Sequence, residues 1–243
     1  MSWIALAVSA ALGGIVQTVT GFGAAIVMML ILPSFMGMLG APAIVQTICA
    51  GLSIPLAIRF WKKVDWKACL PPTVVYMVFS SVTIFFVKSF NTETLKLAFG
   101  FFLILLSVYF ILFSKKLKLK INWPTAIVVG AFSGICSGLF GIGGPLMALY
   151  FLTATDGREK EVYIGTAQMY SALTNVLNLI IRCARGIFTV EMIPMTIAGI
   201  LVINVGKIFG LKILDRLNAE LMRKIVYVFV GVAGLITVLQ YYL

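Results

Sequence analysis

Long apolar runs that end at charged residues dominate the pattern of hydrophobic and polar positions along the chain. A helix of about 20 residues matches the hydrocarbon core of a bilayer, so uncharged apolar runs of about that length predict membrane-spanning helices. A further apolar run begins after Glu191 and extends to Leu211, with Lys207 as its one charged residue. The uninterrupted runs are residues 68–87, 97–114, 162–181 and 225–243. The pattern predicts an all-α integral membrane protein.

Composition supports this class. Hydrophobic residues make up 61% of the chain and charged residues 11%, and the mean hydropathy is +1.09, well above that of soluble domains. The net charge of +11 would suggest nucleic acid in a soluble protein. In a membrane protein, lysine and arginine gather in cytoplasmic loops. We therefore expect a lipid bilayer, and no nucleic acid, as the partner of this surface.

Two parts of the sequence resemble each other. Residues 13–27, GGIVQTVTGFGAAIV, align with residues 133–147, SGICSGLFGIGGPLM. A second alignment, of residues 43–60 with residues 165–182, pairs two glutamines and, after a one-residue slip, two arginines. Internal repeats of this kind are common in transporters.

The lysine-rich stretch SKKLKLKIN, residues 114–122, separates the two repeats. We place repeat 1 at residues 1–117 and repeat 2 at residues 118–243, and we expect them to form one transmembrane domain together.

The distribution of positive charge indicates how many segments each repeat contains. Residues 121–155 form an uncharged stretch that is too long for one span and too short for two spans and a turn, and residues 2–58 leave a similar excess. If each excess turns back as a hairpin, 15 basic residues fall on one side and four on the other. This asymmetry is typical of cytoplasmic loops. We predict two inverted repeats of five segments, each opening with a glycine-tipped hairpin, and both termini on the non-cytoplasmic side.

The glycines fall into two kinds. Gly130, Gly134 and Gly138 have the four-residue spacing that lets membrane helices pack closely. The GFG and GIGGP clusters do not form one helix face, and Pro145 suits the first turn of a new helix. Each cluster therefore predicts a helix break followed by a fresh N-terminus. Such breaks at membrane depth line cavities, and their positive helix ends face anions. Simple helix packing is the alternative.

The candidate substrate-binding residues surround these clusters. Arg59 and Arg182 close repeat-related segments and could meet an anion, or could extend to the membrane surface instead. Lys207 has the same two alternatives. The uncharged polar candidates could bind oxyanion oxygens or hydrogen-bond between helices. The tip candidates are Thr20, Gly21, Phe22, Gly23, Phe140, Gly141, Gly143 and Gly144, and the polar candidates are Gln17, Gln46, Ser137, Gln168 and Asn175.

The chain lacks the residues that catalysis within the membrane would need. The chain has no histidine, and its eight acidic residues lie at segment ends or in loops. An intramembrane hydrolase needs a base or a metal that these residues do not provide. We expect no enzyme activity, no metal and no cofactor. Any ion coupling would use the substrate's own protonation or a sodium ion held by carbonyl groups.

The two glycine motifs carry a family resemblance. GGIVQTVTGFGAAIV and GAFSGICSGLFGIGGPLMALYFL, each opening one repeat, resemble the TauE/SafE family of sulfite exporter-like permeases, also called the TSUP family. Where many relatives have GIGGG, the first motif here reads GFGAA. The resemblance implies a permease for sulfite, sulfoacetate or other organosulfonates in a prokaryotic cytoplasmic (inner) membrane. It leaves open whether the chain forms a homodimer.

Three functions follow from these expectations. The first is a carrier that binds a small sulfur-containing anion at the paired hairpin tips near the membrane midplane and exposes it to each side in turn. The second is an anion channel that uses the tips as a filter. The third is a membrane scaffold without transport activity, which would tolerate bulky residues at Gly141 and Gly143.

Overall fold

The chain folds into a bundle of α-helices. A computed structural model describes residues 2–20, 23–113, 121–155 and 158–214, together with 231–232, 234–235 and 237–239. No β-strand occurs among these residues. Nine helices lie within residues 2–214: α1 Ser2–Thr20, α2 Ala24–Ile31, α3 Pro33–Arg59, α4 Trp66–Phe86, α5 Thr92–Phe113, α6 Trp123–Phe140, α7 Gly144–Ala154, α8 Lys160–Ala184 and α9 Ile193–Leu214.

Helix lengths agree with the predicted membrane spans. Four segments of the described chain are long and apolar enough to cross a bilayer, namely Pro33–Arg59, Trp66–Ser89, Trp123–Phe140 and Val190–Gly210. The predicted spans 97–114 and 162–181 lie almost wholly within α5 and α8. Residues 225–243 are described only at a few helical positions. The boundary between residues 117 and 118 lies outside the described residues.

Polar caps fix where two of the long helices begin. The Asp65 carboxylate accepts hydrogen bonds from the backbone N–H groups of Lys67 and Ala68 at the start of α4. Asn122 accepts one from Thr125 N at the start of α6. Caps of this kind satisfy backbone donors that have no partner within the helix.

The predicted helix breaks are present at both glycine clusters. Gly23, directly before α2, has φ 110°, and Gly141, directly after α6, has φ 72°. Glycine adopts positive φ without the steric cost that a Cβ imposes. Pro145 lies in the first turn of α7, as expected. Gly21 and Phe22 lie outside the described residues.

Close helix contacts hold the bundle together, with α1 against α9, α4 against α6 and α3 against α8. Gly130 and Gly134 face α4, where a Cβ on either would lie 2.6 Å from a backbone carbonyl oxygen, and a Cβ on Gly138 would lie 2.5 Å from Thr83 Cβ. The packing role predicted for these three glycines is therefore confirmed. One buried cluster includes residues of α1, α2, α3 and α5 together with Phe140 and Ile142 at the second break, and another joins α4, α6, α7 and α8.

Candidate functional site

A cavity of about 80 Å³ lies where the two helix breaks meet α3, α4 and α8. One water needs roughly 10–15 Å³ on this measure, so the cavity has room for a few waters or one compact ligand. Nine of the predicted residues line it: Gln17, Gly23, Gln46, Ser137, Gly141, Gly143, Gly144, Gln168 and Asn175. The two breaks and the polar residues beside them are thus brought together from both halves of the sequence.

The other predicted residues lie elsewhere. Phe140 is buried, and its ring packs on Phe99 and Phe102 of α5 with centroids 5.3 and 5.4 Å away. Arg59 is exposed, with its guanidinium 5.4 Å from the ring centroid of Phe60. Thr20 is the last residue of α1, and its side chain is not described. Lys207 is half-buried on α9, in the close contact between α9 and α1.

A hydrogen-bonded group forms one wall of the cavity. Gln46 Nε2 donates to Ser137 Oγ over 2.7 Å and lies 3.3 Å from the Ser137 carbonyl oxygen. The Tyr76 hydroxyl donates to the same Ser137 Oγ. Asn178 Nδ2 lies 3.4 Å from both the Tyr76 and the Ser137 hydroxyl oxygens. These contacts join α3, α4, α6 and α8 at the level of the second helix break.

Arg182 stands behind this wall and is 1% exposed. Its Nε donates to Gln46 Oε1 over 3.1 Å, and its Nη2 donates to the carbonyl oxygens of Ser137 (3.4 Å) and Gly138 (3.0 Å). These carbonyls belong to the last turn of α6, which carries partial negative charge. The Ser137 carbonyl also accepts a hydrogen bond from Gly141 N over 2.8 Å. Nη1 has no partner, and no carboxylate among the described residues pairs with this guanidinium.

Comparison with known proteins agrees with this architecture. The profile of the family described as "Sulfite exporter TauE/SafE" matches residues 6–237. The chain belongs to this family. A probable membrane transporter protein of Methanocaldococcus jannaschii is 26% identical over 187 residues, covering 73% of this chain and 70% of the relative. No solved structure matches. Membership in the TauE/SafE family, the relative and the apolar helices support membrane transport by a multi-pass protein.

The two helix N-termini at the cavity of this TauE/SafE protein are not equivalent. At α2, Gln17 Oε1 accepts a hydrogen bond from Ala24 N over 3.3 Å. At α7, the N-cap residue is Gly143, and no side chain among the described residues caps the N-terminus. A Cβ added to Gly144, the first residue of α7, would meet no atom within 4 Å. The uncapped donors and partial positive charge of α7 therefore adjoin open space in the cavity.

Sequence reasoning missed Tyr76, Tyr170 and Asn178. Tyr76 and Tyr170 line the cavity with their rings edge to face and centroids 5.3 Å apart, and Asn178 is fully buried beside Tyr76. A signal for Asn178 was present in the sequence of α8. Polar residues recur there at alternating intervals of three and four, which places them on one helix face: Gln168, Ser171, Asn175, Asn178 and Arg182.

Proposed function

We propose that this TauE/SafE family member transports compact sulfur-containing anions, such as sulfite, sulfoacetate or other organosulfonates, and binds them in the cavity at the helix breaks. The observation that carries the proposal is Arg182. It is a buried cation without a carboxylate partner in the described chain, and it is hydrogen-bonded to two residues of the cavity wall. An unpaired buried charge is costly inside a membrane protein, and an anion in the adjacent cavity would offset that cost.

Other features of the cavity favour the same class of ligand. The described residues that line it include no aspartate, glutamate, lysine or arginine, so they carry no negative charge that would repel an anion. Its polar groups are hydroxyls, carboxamides and backbone groups, and the uncapped N-terminus of α7 supplies N–H donors. The small volume suits a compact oxyanion better than a bulky organic ligand. The choice of sulfur oxyanions rests on the family.

The mechanism we propose is alternating access between two inverted repeats. The contacts between helices support two related repeats. When α1 is paired with α6, α2 with α7, α3 with α8 and α4 with α9, contacts in one repeat correspond to contacts in the other. Under this pairing, the α1–α9 contact corresponds to α4–α6, α3–α9 to α4–α8, and α2–α3 to α7–α8. Transporters of this kind move one repeat against the other around a central site.

We further propose that each repeat opens with a hairpin whose tip contains the glycine break. At 1.5 Å per residue, α2 and α7 are about 12 and 16 Å long, too short to cross a core of about 30 Å alone. In this topology both termini face the non-cytoplasmic side of a prokaryotic cytoplasmic membrane. The cluster Lys63, Asp65, Arg158 and Glu159 then lies at the cytoplasmic surface.

Uptake of radiolabelled sulfite into proteoliposomes tests the proposed function. Wild-type protein is expected to give saturable uptake that unlabelled internal sulfite accelerates, a property of carriers. Arg182→Gln is expected to lose most uptake, whereas Arg59→Gln, at the repeat-related exposed position, retains it. Thermal unfolding of both variants controls for loss of the fold.

Three results would contradict the proposal or select its rivals. Equal uptake by the Arg182→Gln and wild-type proteins would remove the role of the buried cation. Unitary currents without acceleration by internal sulfite would identify a channel. The absence of both uptake and current, for every sulfur anion tried, would favour the scaffold.

A further inference from the structure

We infer that the Ser137 hydroxyl donates a hydrogen bond to an oxygen of the bound anion, and that Arg182 enforces this direction through Gln46. The inference rests on the proposed function and names the group that selects the ligand. Arg182 is then a positioning residue, because it orients the hydrogen-bond chain from behind the cavity wall. The selected ligand is an anion that presents an oxygen without a hydrogen of its own.

Arg182 fixes the orientation of the Gln46 carboxamide. A guanidinium has donors only, so the group that faces Arg182 Nε over 3.1 Å must be the carboxamide oxygen. The carboxamide nitrogen must then face α6, where it donates to Ser137 Oγ over 2.7 Å. Both side chains are buried, with Gln46 2% and Arg182 1% exposed, and a flipped amide would set its own N–H donors against the Arg182 Nε–H donor. Ser137 is therefore held as an acceptor from Gln46.

The Ser137 oxygen has no lone pair left for further donors. A serine hydroxyl has two acceptor positions and one hydrogen. Gln46 Nε2 and the Tyr76 hydroxyl donate to Ser137 Oγ and occupy the two acceptor positions. Asn178 Nδ2, which lies 3.4 Å from both hydroxyl oxygens, then donates to the Tyr76 oxygen. With these directions, the hydrogen of Ser137 points away from Gln46 and Tyr76. Because Ser137 lines the cavity, a ligand oxygen there can accept this hydrogen.

The usual internal acceptor for such a hydrogen is not used. A serine or threonine within a helix often donates to the carbonyl four residues earlier, as Thr47 does to Ala43 over 2.8 Å. Within the described chain, the Ser137 hydroxyl makes no hydrogen bond of this kind; its contacts are with Gln46 Nε2, the Tyr76 hydroxyl and Asn178 Nδ2. Its hydroxyl hydrogen therefore remains free for the ligand.

Ser133 provides the matched control. It lies one turn before Ser137 on α6, is buried, and is not among the residues that line the cavity. Ser133→Ala therefore removes a buried hydroxyl from the same helix while leaving Ser137 and its orientation by Gln46 in place. Tyr76 and Tyr170 also have hydroxyls at the cavity, and Tyr170 donates to the Gly143 carbonyl oxygen over 3.5 Å, so each tyrosine is tested as a rival donor.

Sulfite binding to the purified full-length protein, measured by calorimetry, tests the inference. Loss of a hydrogen bond to a charged group predicts roughly 10- to 100-fold weaker binding by Ser137→Ala. Ser133→Ala is expected to stay within about 3-fold of wild type, and Tyr76→Phe and Tyr170→Phe are expected to lose less affinity than Ser137→Ala. Near-wild-type affinity of Ser137→Ala would overturn the assignment. A larger loss in either tyrosine variant than in Ser137→Ala would overturn it as well, because that tyrosine would then be the donor.

Gln46→Glu tests the positioning role of Arg182. A carboxylate at this position accepts from Arg182 and also captures the Ser137 hydrogen, so it supplies the missing counter-charge and occupies the donor. We expect an unfolding temperature equal to or above that of wild type, together with loss of sulfite binding. Unchanged binding by this variant would refute the polarised chain. If the wild-type protein binds no sulfur anion, the proposed function fails. If the wild type binds sulfite and the Ser137→Ala and Gln46→Glu variants bind it equally well, this inference fails and the proposed function stands.

Discussion

Gly143 and Gly144 are adjacent glycines at the start of α7. The structure predicts that alanine destabilises the protein at Gly143 and leaves its stability unchanged at Gly144. A Cβ at Gly143 would lie 2.6 Å from Tyr76 Cε2, 2.8 Å from the Ser133 carbonyl oxygen and 3.0 Å from Ser137 Cβ. The φ of Gly143 is −119°, so the backbone accepts alanine and the cost is steric. A Cβ at Gly144 meets nothing within 4 Å.

The magnitude for Gly143→Ala follows from what would have to move. Overpacking typically costs about 1–3 kcal/mol. One obstructing atom is a backbone carbonyl of α6, which itself packs against α4, so we expect the upper half of that range, about 2–3 kcal/mol. Roughly 2–4 °C per kcal/mol for a chain of this size predicts an unfolding temperature lower by about 4–12 °C. Gly144→Ala should leave the unfolding temperature within about 2 °C of wild type.

Thermal unfolding in detergent and sulfite uptake in proteoliposomes are the two assays for this pair. Gly144→Ala places a methyl group in the cavity, so it should raise the KM for sulfite although the protein remains stable. Equal unfolding temperatures for the two variants would refute the steric reasoning at Gly143. An unchanged KM for Gly144→Ala would refute the assignment of the ligand to this cavity.

Two further predictions concern parts of the protein away from the cavity. A Cβ at Gly206 would lie 2.3 Å from the Ala11 carbonyl oxygen. Gly206→Ala should therefore separate α9 from α1 and lower the free energy of unfolding by about 3 kcal/mol. Gly40→Ala is the control in the same unfolding assay and should be tolerated, because its Cβ would meet only side chains at 3.4 Å or beyond. Lys63 lowers the pKa of the exposed Glu159 carboxyl, so any stability from this pair is present at neutral pH and fades as the pH falls through that lowered pKa. Exposed ion pairs contribute little to stability, so Glu159→Gln should shift the unfolding temperature by no more than about 1 °C at neutral pH. A larger shift would show that this ion pair contributes more than an exposed pair should.

The helices were largely predictable because the bilayer restricts what the chain can do. Apolar runs between charges mark helices wherever backbone groups must find partners within the chain. The GIGGP cluster predicted the break before α7, because its glycines do not share one helix face and Pro145 suits the first turn of a new helix. The pairing of helices was less accessible. It depends on contacts such as that of Gly134 with α4, which no local pattern specifies.

The sequence predicted site residues that are polar and lie in or beside the glycine motifs. It did not predict those whose role depends on which way a helix face turns in the fold. Ser137 and Gln46 stood out as polar residues in apolar segments, and they do line the cavity. Tyr76 lies in an apolar run, and its hydroxyl finds Ser137 from 61 positions away. Arg59 and Arg182 are repeat-related, yet one is exposed and the other is buried. Sequence similarity between the repeats could not assign these environments, because they depend on which face of each helix turns inward.

The central claim is that the cavity at the helix breaks binds a sulfur oxyanion, and ligand-dependent stabilisation of the wild-type protein tests it most directly. Thermal unfolding would be followed with sulfite, thiosulfate, sulfoacetate and taurine, with chloride at equal ionic strength as the reference. A ligand at about 100 times its Kd should add roughly 2.7 kcal/mol to the free energy of unfolding. We predict this stabilisation for at least one of the sulfur anions. No stabilisation by any of them beyond that of chloride would contradict the account.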